Sequence, residues 1–425
     1  MSDNQNIPVT LEPQINENEI SEQLEKLFEK LQSKTDEASA ETLQDTIADI
    51  QNLFGSSGAT EMIQKMYETL VNLDTAMTNI RKSFRGSNAE LESMYHNAAR
   101  LGKEFGVTAQ AVLEQESVWS AKGYNTGNHA EQMTGNSLLL TNISPDVDTE
   151  QAVSGLSSIA EAYALQSDDV KRKVIDNISA IGSAYATTNG EIMTGIGISA
   201  NAMAGIGEDL TSNIALFTGG QEVIHDAGQV GEAIKSITLR TRGYDEENGR
   251  LSESLSHISY RLESLTKTAG NAQGISLFSD GTQEHYKGIV QYLGEVSDAW
   301  DSFSQEQQTD LLETLFGSNN TQAGAAIIQN FDQVRNALSS MENATGTADN
   351  QMENVRNSLS YNANALSQEW VETWQNMSES GDIVNVIKVL TKLSETVGVL
   401  LEHLGTVPVI LGALGSYTLQ KNGLD

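Results

Sequence analysis

Residues 188–243 read TNGEIMTGIGISANAMAGIGEDLTSNIALFTGGQEVIHDAGQVGEAIKSITLRTRG. Glycine and alanine recur through the stretch at close intervals. Small residues let helix backbones approach one another, so it predicts helices with close neighbours. The run GIGISA, 195–200, has glycines spaced as in a dinucleotide fingerprint. No strand precedes it, and no G-x-x-x-x-G-K-[ST] occurs anywhere in the chain. A helix or a helix-turn-helix corner is the reading that fits.

The same stretch ends in a basic island, GEAIKSITLRTRG at 231–243, where Lys235, Arg240 and Arg242 stand without an acid between them. A phosphate or nucleic-acid site is one reading. Stacking platforms for single strands need more aromatics than Tyr244 and Tyr260. The other reading is a helix end. Ala233, Ile237 and Arg240 step by four and three, so Ile234, Ile237 and Thr238 face a core while Lys235 and Arg242 point outward. Arg240 and Arg242 then sit where cations meet the negative end of the helix dipole. Gly243 is the predicted cap, and the charges pair with Asp245, Glu246 and Glu247 or with neighbouring helices.

Composition widens this to the whole chain. The 425 residues carry a formal net charge of −33 and no cysteine. The charge argues against general affinity for nucleic acid or anionic lipid. The missing cysteines remove disulfides, thiolate metal sites and cysteine nucleophiles. The four prolines are Pro8, Pro13, Pro145 and Pro408, leaving a long proline-free interior that can be mostly helical. The polar, acidic start reads as no signal peptide. The fold class expected is all-α.

Four segments are expected. Residues 1–14 form a disordered lead. Residues 15–83 form a helical, coiled-coil-like arm with a hinge at GSSG, 55–58. In it Ile63, Met66, Leu70, Leu73, Met77 and Ile80 step 3, 4, 3, 4, 3 as a heptad seam or the buried face of a bundle helix. Residues 84–345 form a helical core domain with glycine- and alanine-rich corners. Its helices are predicted over 89–105, from a Thr108 cap to Gly123, from an Asp148 or Thr149 cap, from Ser167 with two acids behind it, and over 284–304 and 306–316. Residues 244–282 read as a loop or flap holding one helix. Residues 346–425 hold a long amphipathic helix, from about Ala348 to Leu404, and an apolar end. The 15 apolar residues of that end, GTVPVILGALGSYTL at 405–419, are too few for a membrane-spanning helix.

Chemistry is sparse. His96, His129, His225, His257, His285 and His403 are all at least twenty residues apart, and there is no H-E-x-x-H. No G-x-S-x-G elbow occurs. The reading names no catalytic, cofactor-binding or metal residue, expects no cofactor, and expects that the chain is not an enzyme.

Several stretches in order resemble the tape measure proteins of long-tailed bacteriophages, the minor tail protein type of Gram-positive hosts. They are AARLGKEFGVTAQAVLEQESVWSAKGY at 98–124, LLLTNISPDVDTEQAVSGLSSIAEAYAL at 138–165 and DNISAIGSAYATTNGEIMTGIGISANAMAGIGEDL at 176–210. VGEAIKSITLRTRG at 230–243, LLETLFGSNNTQAGAAIIQNFDQV at 311–334 and ATGTADNQMENVRNSLSYNANALSQEWVETW at 344–374 complete the series. The resemblance covers roughly three quarters of the chain, and the arm at 15–83 fits it only as a generic coiled coil. It implies a scaffold for tail tube assembly and tail length, located in the tube lumen of the virion tail, made in the host cytoplasm and ejected ahead of DNA. Implied partners are tail tube and tail assembly chaperone proteins, baseplate or distal tail proteins, further copies through the helical seam, and the host membrane, with no sequence-specific nucleic acid. Family members continue past the apolar zone, so the resemblance also leaves open a truncated prophage product. A helical coiled-coil adaptor or secreted effector is the alternative.

Overall fold

The computed structural model describes residues 72, 75–78, 80–81, 87–124, 128–244, 254–268, 270–279, 285–358, 361 and 368. These residues hold fifteen α-helices and no strand, as the all-α reading expects. One antiparallel bridge joins Phe278 and Tyr286. The chain divides into two units, Met1–Glu114 with Asn362–Asp425, and Gln115–Tyr361.

In the first unit, α1 runs Asn88–Phe105 and α2 begins at Ala109, continuing to Ala121. Leu91, Met94, Ala98, Leu101 and Phe105 recur at helical spacing and are buried. The predicted Thr108 cap is present: its hydroxyl accepts from the Ala111 N–H at 3.1 Å. A second cap comes from far along the chain, where Gln368 Oε1 accepts from the Ala109 N–H at 2.8 Å. Two of the helix's orphan donors are thereby satisfied. Of the heptad seam, Met77 and Ile80 are described, and both are buried. The rest of the seam, the lead at 1–14 and the remainder of the arm lie outside the described residues.

The second unit begins with α3 His129–Ile143 and α4 Thr149–Ala162. Asp148, not Thr149, caps α4: its Oδ1 accepts from Gln151 N at 2.8 Å while Gln151 Oε1 accepts from Asp148 N at 3.0 Å. A continuous rod follows, made of α5 Ser167–Val170, a π-turn Lys171–Ile175, and α6 Asp176–Ala184. The rod opens at Ser167, as the sequence suggested, with Gln166 at the cap position and the Ser167 hydroxyl bonded to Gln132 Oε1. Asp169 behind it is held low by the Lys173 and Arg172 cations.

The quoted stretch forms α7 Asn189–Gly205, α8 Leu210–Ile224 and α9 Ala227–Arg240. The side chains of Thr188, Asp209 and Asp226 start them by accepting from Glu191 N, Ser212 N and Gln229 N. These three helices pack on one another, and α4 lies against α7. The closest approach is between α7 and α9. A Cβ on Gly231 would sit 2.5 Å from the Gly195 carbonyl oxygen and 3.0 Å from its Cα. On its other side, Gly195 is covered by the fully buried Phe217 ring. Burying that one phenylalanine contributes about 2–3 kcal/mol.

The chain continues through α10 Leu255–Leu265, α11 Ile289–Asp298, α12 Gln305–Phe316, α13 Thr321–Gln329, α14 Phe331–Glu342 and α15 Thr347–Arg356. α10 is the one helix expected within 244–282. Helix α11 starts later than the predicted 284. Residues 285–288 are extended because Ser279 N bonds His285 O and Lys287 N bonds Leu277 O. Helix α8 packs against α13 and α14, and α9 against α12. The start of α15 is fixed by buried Asp176 of α6, whose two oxygens accept from Gly346 N at 2.9 Å and Ala348 N at 3.0 Å. After α15 closes at Arg356, the predicted long helix to Leu404 lies outside the described residues except for Asn357, Ser358, Tyr361 and Gln368.

Candidate functional site

The basic island at the end of α9 is where the sequence posed its chemical question. Its apolar face is as predicted, with Ala233, Ile234 and Ile237 buried. Gly243 adopts φ +83°, a left-handed conformation suited to glycine at a helix end. Lys235 reaches Glu232 one turn back, at 3.1 Å. Arg240 donates from Nε to Thr314 O and from a terminal nitrogen to Glu313 O, both at 3.1 Å. It thus binds carbonyls in the last turn of α12, the negative end of that helix.

Arg242 does not point outward. Its guanidinium lies 3.7 Å above the Tyr286 ring and donates to Ile206 O at 3.3 Å. The reason is local. The turn at Gly243 carries the chain away from the axis of α9, and Arg242 meets the extended residues that return before α11. The acids Asp245, Glu246 and Glu247 lie outside the described residues.

Around Arg242 lies a part-buried polar seam. Glu208, in the turn before α8, accepts from the Ile289 N–H at 2.6 Å and so caps α11. Burial pushes its carboxyl up from the ordinary range, the Asp209 charge adds to this, and the Ile289 N–H and Arg242 oppose it. The Tyr286 and Tyr292 rings meet edge to face at 6.3 Å, and burial raises both phenols. Interaction with the Thr241 hydroxyl opposes the rise at both phenols, and Arg242 Nε is buried without a hydrogen-bond partner. Nearby, Ser199 Oγ donates to Asn213 Oδ1 at 2.7 Å and Asn213 Nδ2 donates to the Tyr163 hydroxyl at 3.1 Å. Burial raises the Tyr163 phenol strongly.

Sequence reading missed Glu208, Tyr286 and Tyr292. The available signal was a second acid beside the cap Asp209. The seam contains no nucleophile set against a base. What it does is join three segments: the α7–α8 turn, the end of α9 and the start of α11.

The histidines do not converge. His96 sits edge-on to Tyr95, His225 ends α8 at φ +51°, and His257 and His285 are exposed. His129 opens α3, and His403 lies outside the described residues. Among the described residues no group of three or more His, Asp or Glu side chains could hold a metal ion. No helix among them is long and apolar enough to cross a membrane. The apolar stretch 405–419 is outside them.

Among the described residues the island's cations are engaged within an all-helical module. The family model of phage-related minor tail proteins matches residues 95–317, just over half of the chain, from within α1 to the end of α12. The chain belongs to the phage-related minor tail protein family and is a component of the virion tail. No solved structure matches it.

Proposed function

We propose that this protein is a tape measure protein, a structural scaffold around which the tail tube assembles and which sets tail length, with no enzymatic activity of its own. The observation that carries the reading is the minor tail family match over a helical module. A helix rises 1.5 Å per residue, so 425 helical residues would span about 640 Å. In the free chain the helices fold on one another. In the tube lumen they would lie end to end, with tube subunits stacking around them.

The charge supports the same placement. A net charge of −33 repels DNA, which suits a lumen through which the genome must slide without adhering. The intramolecular partners of Lys235, Arg240 and Arg242 leave little at the island to attract it. On this reading the partners are tail tube, tail assembly chaperone and baseplate proteins, and further copies of the chain through the seam at 63–80. The protein is made in the host cytoplasm and leaves the tail ahead of the DNA, the apolar stretch 405–419 then meeting the host membrane.

Protease treatment of purified tails tests the placement. The chain is expected to survive in intact tails and to be digested once the tubes are dissociated. Digestion at the same rate in both samples would contradict a lumenal scaffold and favour an external helical adaptor.

A further inference from the structure

The π-turn at Lys171–Ile175 is where α15 is seated. A π-turn carries one residue more than an α-helical turn and is frequently found at functional sites. This one is closed by Asp176, whose N–H donates to Lys171 O. The side chains of the two residues that bound it both reach α15. Lys171 Nζ pairs with Asp349 at 2.6 Å. Asp176, buried in the rod, accepts from Gly346 N and Ala348 N, 170 and 172 residues away. Further along the rod, Ser183 Oγ accepts from Gln351 Nε2 at 2.7 Å.

The start of α15 has no cap of its own. Gly346 stands at the cap position in a left-handed conformation, φ +85°, and has no side chain to offer. Thr347 N is taken by Ala344 O in the preceding turn. The Gly346 and Ala348 N–H groups are left to Asp176. A capping side chain normally belongs to the residue that begins the helix, whereas this one belongs to another helix. Docking α15 and capping it are therefore one event. The apolar part of the contact is small. Within α15 the buried residues are Ala348 and Met352, whereas the shorter α13 buries Ala323, Gly324, Ala326, Ile327 and Ile328.

We propose that the π-turn and Asp176 form a latch for α15, in which one buried carboxylate decides whether residues 344–356 are docked on the rod or released. The central helices do not depend on the latch. Helix α15 packs on α3 and α6, while α7, α8 and α9 pack on one another. The ion pair of Lys171 and Asp349 is half-exposed, and such pairs contribute little, so the holding falls to Asp176. The latch is a point where α15 can part from the rod without dismantling the helices before it. This inference does not depend on the tape measure reading.

Hydrogen exchange on the full chain tests the proposal. D176N keeps the size of the side chain but replaces one acceptor with a donor, so one of the two N–H groups loses its partner. Exchange in peptides covering 344–356 should quicken roughly five- to thirtyfold, the range that loss of a helix cap produces. A glutamate-specific protease should cut faster after the exposed Glu353. Peptides of α7 and α9 should keep the rates of the unaltered chain. K171Q, which removes only the ion pair, should quicken 344–356 about twofold or less. Unchanged exchange at 344–356 in D176N would overturn the latch. So would equal quickening of α7 and α9, or an effect of K171Q as large as that of D176N. Should D176N not fold, the unaltered chain in low denaturant decides. Residues 344–356 are then expected to exchange through an opening that leaves α7 and α9 closed, and exchange of all three only together overturns the latch.

Discussion

The α7–α9 crossing and the seam at α11 lie in one unit and are built on opposite terms. At the crossing, two glycines bring backbone against backbone, with Phe217 sealing one side. At the seam, an acid, a guanidinium and two phenols meet in a part-buried space. The first is apolar and indifferent to pH but has no room for a methyl group. The second is polar and holds the start of α11 through Glu208 and Arg242. The difference shows how one helical module can combine an apolar centre with a polar edge.

The largest effect is expected at the crossing. Gly231→Ala would drive a Cβ into the Gly195 backbone, where no side chain can swing aside. Overpacking of this kind destabilises by about 3 kcal/mol. For a unit of this size the thermal midpoint followed by circular dichroism should fall by roughly 6–12 °C. A midpoint that does not move would break the comparison, because the crossing would then tolerate what its geometry forbids.

A smaller effect of opposite sign sharpens it. Gly197, two residues along α7 from Gly195, has open space where a Cβ would go. Gly197→Ala should stabilise the unit by about 0.5–1 kcal/mol through helix propensity alone. If the same melt shows Gly197→Ala to be as harmful as Gly231→Ala, the effect belongs to the helix as a whole and not to the contact.

These two glycines also show what could be read beforehand. Small residues at close spacing announced close helices, and periodicity placed Ala233, Ile234 and Ile237 in the core. Caps were legible where donor and acceptor are three residues apart, as at Thr108. Which of the glycines in GIGISA meets another backbone was not legible, since that depends on a partner helix. Longer reach explains the other misses. Asp176 holds α15, Gln368 caps α2 and Glu208 caps α11, and a window a few turns wide contains only one member of each pair. Arg242 was assigned to solvent because its own helix offers it no partner. Tyr286, which it covers, belongs to an extended segment read as helix. The family itself was legible through the order of several weak stretches, and residues 95–317 match it.

The account's central claim, that this minor tail protein sets length, is tested most directly by measuring tails in electron micrographs of virions carrying an in-frame deletion of residues 89–230. At 1.5 Å per helical residue, tails are expected to shorten by up to roughly 210 Å. Tails of unchanged length would contradict a ruler role for this segment.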